Sequence, residues 1–287
     1  MDRLSIVILT FNCENGLPAT LAAARRLSDD IHAVDSFSTD RTVSILEEYG
    51  VNYVQRPFNN YADQRNWSME NLRLRGDWQL HLDADEILSQ GLIDEIAGLL
   101  RSGEIGKYDG YFIPRRIRFL GQELMHGGYY PIYHMRLFRK GYGRVESKLY
   151  DQHFVLSGNG RPLRHLFIDD QTSSLAEWTN RHNRWSSFEA AEITQSQVRP
   201  DDQRFTIKPL SDGNVLERMR ARKQSYMQLP ILLRPFLLFL YRYVIRLGFL
   251  DGKPGLIYCV LQAFWFRFLI DAKIYERRSG LFNVGHE

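Results

Sequence analysis

The chain is predicted to be an α/β protein built on a mostly parallel sheet with helices on both faces. Short apolar runs alternate with helix-patterned segments over its first third, and polar clusters follow the runs. Leu4 to Leu9 is apolar except for Ser5, too short for an ordinary helix and rich in β-branched residues, as a strand buried on both faces would be. Apolar residues recur at helical spacing from Pro18 to Leu27. Ile31 to Val34 reads as a second strand, and Asp40 to Tyr49 as a helix that opens on Asp-Arg-Thr. Val51 to Val54 gives a third strand and Tyr61 to Leu72 a helix. Trp78 to Leu82 is a fourth strand, stopping at Asp83-Ala84-Asp85-Glu86. In such sheets ligands bind beyond the carboxyl ends of the strands. Thr10 and Asn12 follow the first strand, Asp35 the second and the aspartate pair the fourth, so residues distant in sequence are expected on one rim.

A length of 287 residues accommodates one large domain, or one domain with a substantial appendage. Hydrophobic residues at 44% and charged residues at 25% exclude disorder as an overall description. Thirty-seven Lys and Arg against 34 Asp and Glu leave +3, too near balance to indicate nucleic acid, and no nucleic-acid partner is expected. Cys13 and Cys259 stand far apart without metal-ligand spacing, which excludes a disulfide framework and a zinc site and fits a reducing compartment. Met1-Asp2-Arg3 runs directly into the first strand, so no secretory leader is expected.

From Gly110 the pattern changes to short β-like pieces, Tyr111 to Arg116, His134 to Phe138 and His153 to Leu156. Leu175 to Gln197 is helix-patterned, with Trp178, Trp185 and Phe188 among charged residues. Arg199 to Asp212 is polar and contains proline. The expected organisation is a catalytic domain over 1–198, divided into a nucleotide-sugar half (1–109) and an acceptor half (110–198). A connection follows over 199–229, then amphipathic helices over 230–287.

Asp83 and Asp85 are two apart at a strand end, so period-two geometry points both carboxylates one way, toward a place where Mg²⁺ or Mn²⁺ could sit. Such a cation would stabilise the charge that develops on a departing diphosphate. An Asp-x-Asp triplet arises by chance about once in a chain of this size, so its context decides. That context is ordered: Ile6-Val7-Ile8-Leu9-Thr10-Phe11-Asn12, Ala33 to Thr42 (Ala-Val-Asp-Ser-Phe-Ser-Thr-Asp-Arg-Thr), Asp63-Gln64-Arg65-Asn66, and Gly76 to Glu86. Together these segments resemble family 2 glycosyltransferases of the GT-A fold, a Rossmann-like mixed sheet that binds nucleotide-diphospho-sugars. The nearest likeness is to the lipopolysaccharide-core β-glucosyltransferase type, which also shows segments like Leu120-Gly121, His126-Gly127-Gly128, Arg136-Leu137-Phe138-Arg139 and Gly248-Phe249-Leu250-Asp251-Gly252.

The resemblance implies a metal-dependent, inverting transfer from a nucleoside-diphosphate sugar, most simply a UDP-sugar, to a lipid-linked or cell-envelope glycan. It implies that Thr10, Asn12, Asp35, Arg65 and Asp83 line the nucleotide-sugar pocket and that Asp85, with Asp83, holds the metal. Asp35 suits a base N–H or ribose hydroxyl, and Arg65 suits diphosphate oxygens. Asp40 either belongs to this pocket or caps a helix. Ser36 and Phe37 stand where the family more often carries an aspartate and a glycine, which alters the loop. For the base that accepts the acceptor's proton the candidates are Asp151 and then Glu146, with His153 orienting the base or serving structure alone. His126 and Tyr129, in His-Gly-Gly-Tyr-Tyr, either floor the acceptor site or form a tight turn, and Arg136 either meets a phosphate or lies on a solvated basic edge.

Pro230 to Leu247 is mostly Leu, Ile, Phe and Tyr, with Arg234, Arg242 and Arg246. At 100° per residue these arginines share a sector of roughly 120°, one basic stripe on an apolar helix. Arginine near a bilayer centre costs about 2.5–3.5 kcal/mol while each Leu or Phe returns about 0.3–0.6, so lying in the interface is expected rather than crossing. Leu256 to Ile270 is apolar too, but shorter than the roughly 20 residues of a span. The expected location is therefore the cytoplasmic face of the inner membrane, peripheral or monotopic. The alternative is that these helices pack on the catalytic domain or form a homodimer. A non-catalytic subunit of the same fold that docks a partner at the membrane, and a nucleotidyltransferase, are the competing functions; no glycine-rich triphosphate loop follows the first strand.

Overall fold

The computed structural model describes residues 3–148, 150–194 and 207–280. Strands and helices alternate at first: β1 (Leu4–Thr10), α1 (Leu17–Arg25), β2 (Asp30–Asp35), α2 (Thr42–Glu48), β3 (Asn52–Gln55), α3 (Tyr61–Asn71), β4 (Trp78–Asp83). Then follow β5 (Glu86–Leu88), α4 (Gln90–Ser102), β6 (Gly110–Phe119), β7 (Gln122–Glu123) and β8 (Ile132–Arg139). The short strands β9 (Gly143–Val145), β10 (Phe154–Leu156), β11 (Gly160–Pro162) and β12 (Phe167–Gln171) lead into helix α5 (Leu175–Thr194).

The main sheet runs β3-β2-β1-β4-β8-β6-β12-β5. Its first four strands are parallel; β8 is antiparallel to both β4 and β6, β12 is parallel to β6, and β5 is antiparallel to β12. The sheet is thus mixed, with its parallel half as expected and a second half assembled from distant segments. Ile6, Ile8, Ala33, Leu80 and Leu82 are sealed by helices, which explains their uninterrupted apolar runs. Gly76 enters β4 so close to β1 that a Cβ there would lie 2.5 Å from the Ser5 amide nitrogen.

Helix α4 occupies a stretch where no element was expected. Ser89 caps it by accepting from the Leu92 amide (3.2 Å), and Gly103 ends it in the left-handed region at φ 71°. The expected connection also contains a helix, α6 (Val215–Met227), opened by a capping box in which Asn214 accepts from Glu217 N and Glu217 accepts from Asn214 N. The expected boundary at 198/199 falls within 195–206, outside the described residues.

The C-terminal part comprises α7 (Arg234–Leu240), a π-helical turn at Tyr241–Ile245, α8 (Gly252–Tyr258), a π-helical stretch at Cys259–Trp265 and α9 (Phe266–Ser279). Gly248 to Ser279 forms a 32-residue helical run, long and apolar enough to cross a membrane by length and composition. This corrects the shorter Leu256–Ile270 estimate. Its polar side is nevertheless engaged by α5: Arg267 pairs with Glu189 (3.2 Å), and Lys273 donates to Asn183 O (2.8 Å) and Ser187 Oγ (2.7 Å).

Two of the three stripe arginines face inward, and Arg246 is exposed. Arg234 is buried in an ion pair with Asp271, Arg242 lies 4.4 Å from the Tyr129 ring centre, and Arg246 turns toward Gly128. What faces outward is apolar at helical spacing: Leu233, Phe236, Leu237, Leu240, Tyr241, Val244 and Ile245, the last 69% exposed. The expectation of one basic stripe is corrected in part: Asp271 draws Arg234 in and the Tyr129 ring draws Arg242, while Arg246 stays exposed.

At the opposite end, Asp30 accepts from the Ser5 hydroxyl, the Arg75 amide (2.9 Å), Arg75 Nε (2.9 Å) and His32 Nε2 (3.0 Å). Burial pushes its carboxyl up, but these donors outweigh burial and hold it down at about 2. A depressed carboxyl stabilises the fold above its unfolded value near 4, and that stability is lost as pH falls through about 2. Asp30→Asn should therefore cost about 2 kcal/mol in urea unfolding at pH 7. The gap between variant and parent should close between about pH 4 and pH 2.

Candidate active site

The ends of β1, β2 and β4 form one rim, because these strands pair in parallel with Thr10 opposite Asp35 and Leu9 opposite Asp83. Asp35 is fully buried and accepts from Thr10 Oγ1 (3.1 Å), Ser38 N (3.0 Å), Ser38 Oγ (2.5 Å) and Gln55 Nε2 (3.0 Å). A carboxylate offers about four lone-pair sites, so Asp35 and its partner Thr10 are committed to shaping the loop rather than left to meet a nucleotide. Asn12 does stand exposed on the rim, at φ 45°, accepting from the Thr39 amide (2.8 Å). Phe11 and Phe37, 61% and 50% exposed, present aromatic faces beside it. Phe37 holds φ 60°, so the loop keeps the left-handed turn that a glycine would otherwise supply. Asp40 accepts from the Thr42 amide (2.9 Å) in the first turn of α2 and from the Glu14 amide (3.1 Å), which is the capping alternative.

Asp83 is clamped between two guanidinium groups. Arg65 Nη2 donates to its Oδ1 (2.5 Å), Arg136 Nη2 to its Oδ2 (2.7 Å), and Tyr61 OH to Oδ1 (3.4 Å). Arg136 also bonds Glu86, which accepts from the Asp83 amide (2.9 Å). Burial raises the Asp83 carboxyl, but Arg136 and Arg65 outweigh it and hold Asp83 well below the usual range. Two expectations are corrected here. Arg65 is fully buried and also donates from Nη2 to the carbonyl of Leu82 (2.7 Å) and from Nη1 to that of Val7 (3.2 Å), which keeps it from a diphosphate. Arg136 is buried on the same carboxylate, neither on a basic edge nor free for a phosphate. Asp83 is engaged by both guanidinium groups, which orients the strand end.

Asp85 differs. Among the described residues its carboxylate accepts no hydrogen bond and forms no ion pair, although Asp169, Asp83 and Glu86 surround it. Burial first, then those three charges, push its carboxyl well above the ordinary value. Burial likewise lifts Glu86 to about 7 despite Arg136, and raises Asp169 despite Arg115 at 3.1 Å. Arg181 of α5 opposes the rise at both Asp85 and Asp169. Among the described residues no three His, Cys, Asp or Glu side chains close around one point. An Mg²⁺ or Mn²⁺ held by one carboxylate and substrate phosphates needs no such cage, and Asp85, unpaired among repelling acids, fits that role.

The base candidates are held against α6. Asp151, at φ 56°, is held by Lys223 (2.8 Å) and Arg220 (3.1 Å) of α6 and by His153 Nε2 (3.2 Å). Burial raises its carboxyl, but His153, Lys223 and Arg220 hold it well below the ordinary range. Glu146 is buried against Arg220 and accepts from the His153 amide (3.2 Å), so it is structural. His126 and Tyr129 sit at the C-terminal helices: His126 bonds Asp251, and Tyr129 is buried beneath Arg242 with its hydroxyl on Cys259 Sγ (3.6 Å). Tyr129 is therefore core rather than the floor of a sugar site. The groups that sequence patterns did not single out are Glu86, Asp169, Arg115, Arg181, Arg220 and Lys223. Only Glu86 carried a signal, its place in the acidic run that ends β4.

Residues 5–165, more than half of the chain, match the model of glycosyl transferase family 2. The chain belongs to that family. With it, the mixed sheet carrying acidic strand ends is a GT-A-like α/β fold. An uncharacterised glycosyltransferase of Rickettsia typhi is 32% identical over 123 residues, covering 43% of this chain and 41% of that protein. One of Rickettsia conorii is 35% identical over 112 residues, 39% of each. The match thus spans about two fifths of the length of these curated relatives. Among solved structures, Staphylococcus aureus TarS in complex with UDP-GlcNAc aligns over 98% of this chain and 93% of its own, at 12% identity and a TM-score of 0.46. Mycobacterium tuberculosis glucosyl-3-phosphoglycerate synthase with Mn²⁺, UDP-glucose and phosphoglyceric acid aligns over 41% and 44%, at 21% identity and a TM-score of 0.33.

Removing Arg136 would leave Asp83 and Glu86 facing each other without their shared cation. Arg136→Met should lower stability by about 3–5 kcal/mol in urea unfolding at pH 7.5, the scale for breaking one side of a buried pair.

Proposed function

We propose that the chain is an inverting glycosyltransferase that moves a sugar from a nucleoside-diphosphate sugar, a UDP-sugar foremost, to a lipid-linked or cell-envelope glycan at the cytoplasmic face of the inner membrane. The observation that carries this is the contrast at the end of β4: Asp83 is fully paired, while Asp85 two residues on has no partner among the described residues and stands among repelling acids. Family membership and the Mn²⁺ and UDP-glucose bound by the mycobacterial synthase point the same way.

Phe11 and Phe37 offer stacking faces to the base, next to Asn12. Asp85 holds the cation, which when bound neutralises the diphosphate. Arg181 adds positive charge on the same side. The acceptor oxygen attacks the anomeric carbon as the bond to the β-phosphate oxygen breaks, the nucleoside diphosphate leaves, and the hydroxyl proton passes to Asp151. Lys223 and Arg220, with His153 beside them, keep Asp151 ionised and aimed, at the expense of its basicity. That same pairing favours the second reading, a family member without turnover that docks a partner at the membrane.

Purified full-length chain with Mn²⁺ and a panel of nucleotide sugars and glycolipid acceptors should release nucleoside diphosphate. Asp85→Asn and Asp151→Asn should each lower release by about 10²–10⁴-fold. Asp85→Asn should do so without lowering the unfolding midpoint, whereas Asp151→Asn, which leaves Lys223 and Arg220 unpaired, should lower it. Mn²⁺ binding with no release on any acceptor would establish the second reading instead.

The exposed stripe from Leu233 to Ile245 supports a monotopic association, in which the apolar face enters the headgroup boundary and the polar side of Gly248–Ser279 stays on α5. Leu240→Glu with Ile245→Glu should abolish sedimentation with phosphatidylcholine vesicles while the far-UV circular dichroism stays unchanged. Conversion to monomers without loss of vesicle binding would mark the stripe as a homodimer contact.

A further inference from the structure

Two segments 125 positions apart interlock where the catalytic unit meets the C-terminal helices. Asp251, buried, accepts from the amides of Met125 (3.1 Å) and His126 (2.9 Å) and from His126 Nδ1 (2.6 Å). Its carbonyl accepts from Gln122 Nε2 (2.8 Å), and the Gly127 amide donates to Arg246 O (2.9 Å). Gly127 and Gly128, at φ 66° and 70°, let the loop lie flat against the helix end, where Leu247 turns the chain at φ 59°. The latch fixes the walls of a cleft of about 260 Å³ lined by His126, Gly128, Tyr130, Ile245, Arg246 and Leu247.

The cleft has one charge sign. The Arg246 guanidinium makes no hydrogen bond or ion pair among the described residues. Arg242, one turn earlier, rests on the Tyr129 ring and the Gly127 carbonyl (3.4 Å) and meets no carboxylate. Arg116 lies over the Tyr130 ring at 4.6 Å and is balanced by Glu123 at 2.9 Å. The acid at the cleft, Asp251, is consumed by His126 and two amides. Ile245 and Leu247 on the cleft wall also belong to the exposed apolar surface, so an unpaired cation sits at the rim of the face read as membrane-inserting. That is where the phosphate of an anionic lipid lies when its chains follow the apolar side. Behind the cleft, Tyr129 packs edge-on against Tyr258 (4.8 Å), whose hydroxyl feels Arg242 and also Arg115 and Asp169 of the carboxylate cluster.

We propose that this cleft binds the phosphate group of an anionic lipid, with Arg246 as its principal cation and His126 as a second donor. The proposal rests on the membrane reading above. A soluble phosphate shares the headgroup's chemistry but lacks the chains that Ile245 and Leu247 would meet.

The test is sedimentation of the full chain with vesicles of phosphatidylcholine, with or without phosphatidic acid, for the parent, Arg246→Gln and Arg246→Lys. The parent should prefer the phosphatidic-acid vesicles, and Arg246→Gln should lose about fivefold of that preference while still binding phosphatidylcholine. Arg246→Lys should keep most of it, and all three should unfold at the same temperature, since the exposed Arg246 side chain has no hydrogen bond or ion pair to lose among the described residues. Equal preference in parent and Arg246→Gln would overturn the site and leave the membrane reading standing. Failure of every chain to bind any vesicle would overturn both. Displacement from phosphatidic-acid vesicles by millimolar glycerol phosphate would overturn a lipid occupant in favour of a free phosphate.

Discussion

The clamp on Asp83 by Arg65 and Arg136 is the constraint on which the rest of the site depends. A carboxylate at the end of a buried parallel strand loses its water, and only close guanidinium groups make that tolerable. Arg65 comes from α3 and Arg136 from β8, so one ion network ties the parallel half of the sheet to its antiparallel half. Arg65 also bonds the carbonyls of Val7 and Leu82, which holds β1 and β4 in register where the chain turns toward Asp85. With Asp83 neutralised, its neighbour carries the unbalanced charge.

The same economy of buried charge shapes the C-terminal helices. Arg234 finds Asp271, and Arg242 finds an aromatic face and a carbonyl. Each inward arginine rotates the helix so that Phe236, Leu240, Val244 and Ile245 are left outside. An apolar stripe on a surface where isolated apolar residues are the rule needs a partner, and α5 already occupies the helices' polar side. The latch of Asp251 on His126 joins the apolar face to the loop after β7 at one junction.

Much of this architecture was legible from the chain. The apolar runs at Leu4, Ile31 and Trp78 are strands because both faces are covered, and their ends carry the polar residues as the parallel arrangement requires. Asn12 lies exposed at the end of the first strand, while the left-handed turn at Phe37, where a glycine was the commoner residue, was not legible from the chain. Arg65 was expected on a diphosphate and Arg136 on a phosphate or a solvated edge, whereas both meet carboxylates, since a residue type states which charge it seeks and not which of several carboxylates or phosphates lies nearest. Glu146 and Tyr129 were assigned to chemistry because their neighbours in sequence suggested it, whereas Arg220 and the C-terminal helices bury them. Helix α4 was missed although Ser89 and Gly103 mark its ends.

By itself the sequence determined the strand and helix periodicities, the acidic run closing β4, and the family. Those are local properties, set by side-chain spacing and by which residues tolerate a strand end. Tertiary structure alone decided which carboxylate is free and which is paired, that α6 guards Asp151, and that Arg234 and Arg242 turn inward while Arg246 does not. Each of those outcomes depends on the distance between groups far apart in the chain, because Coulomb and desolvation energies vary with separation and burial, and neither is written in composition.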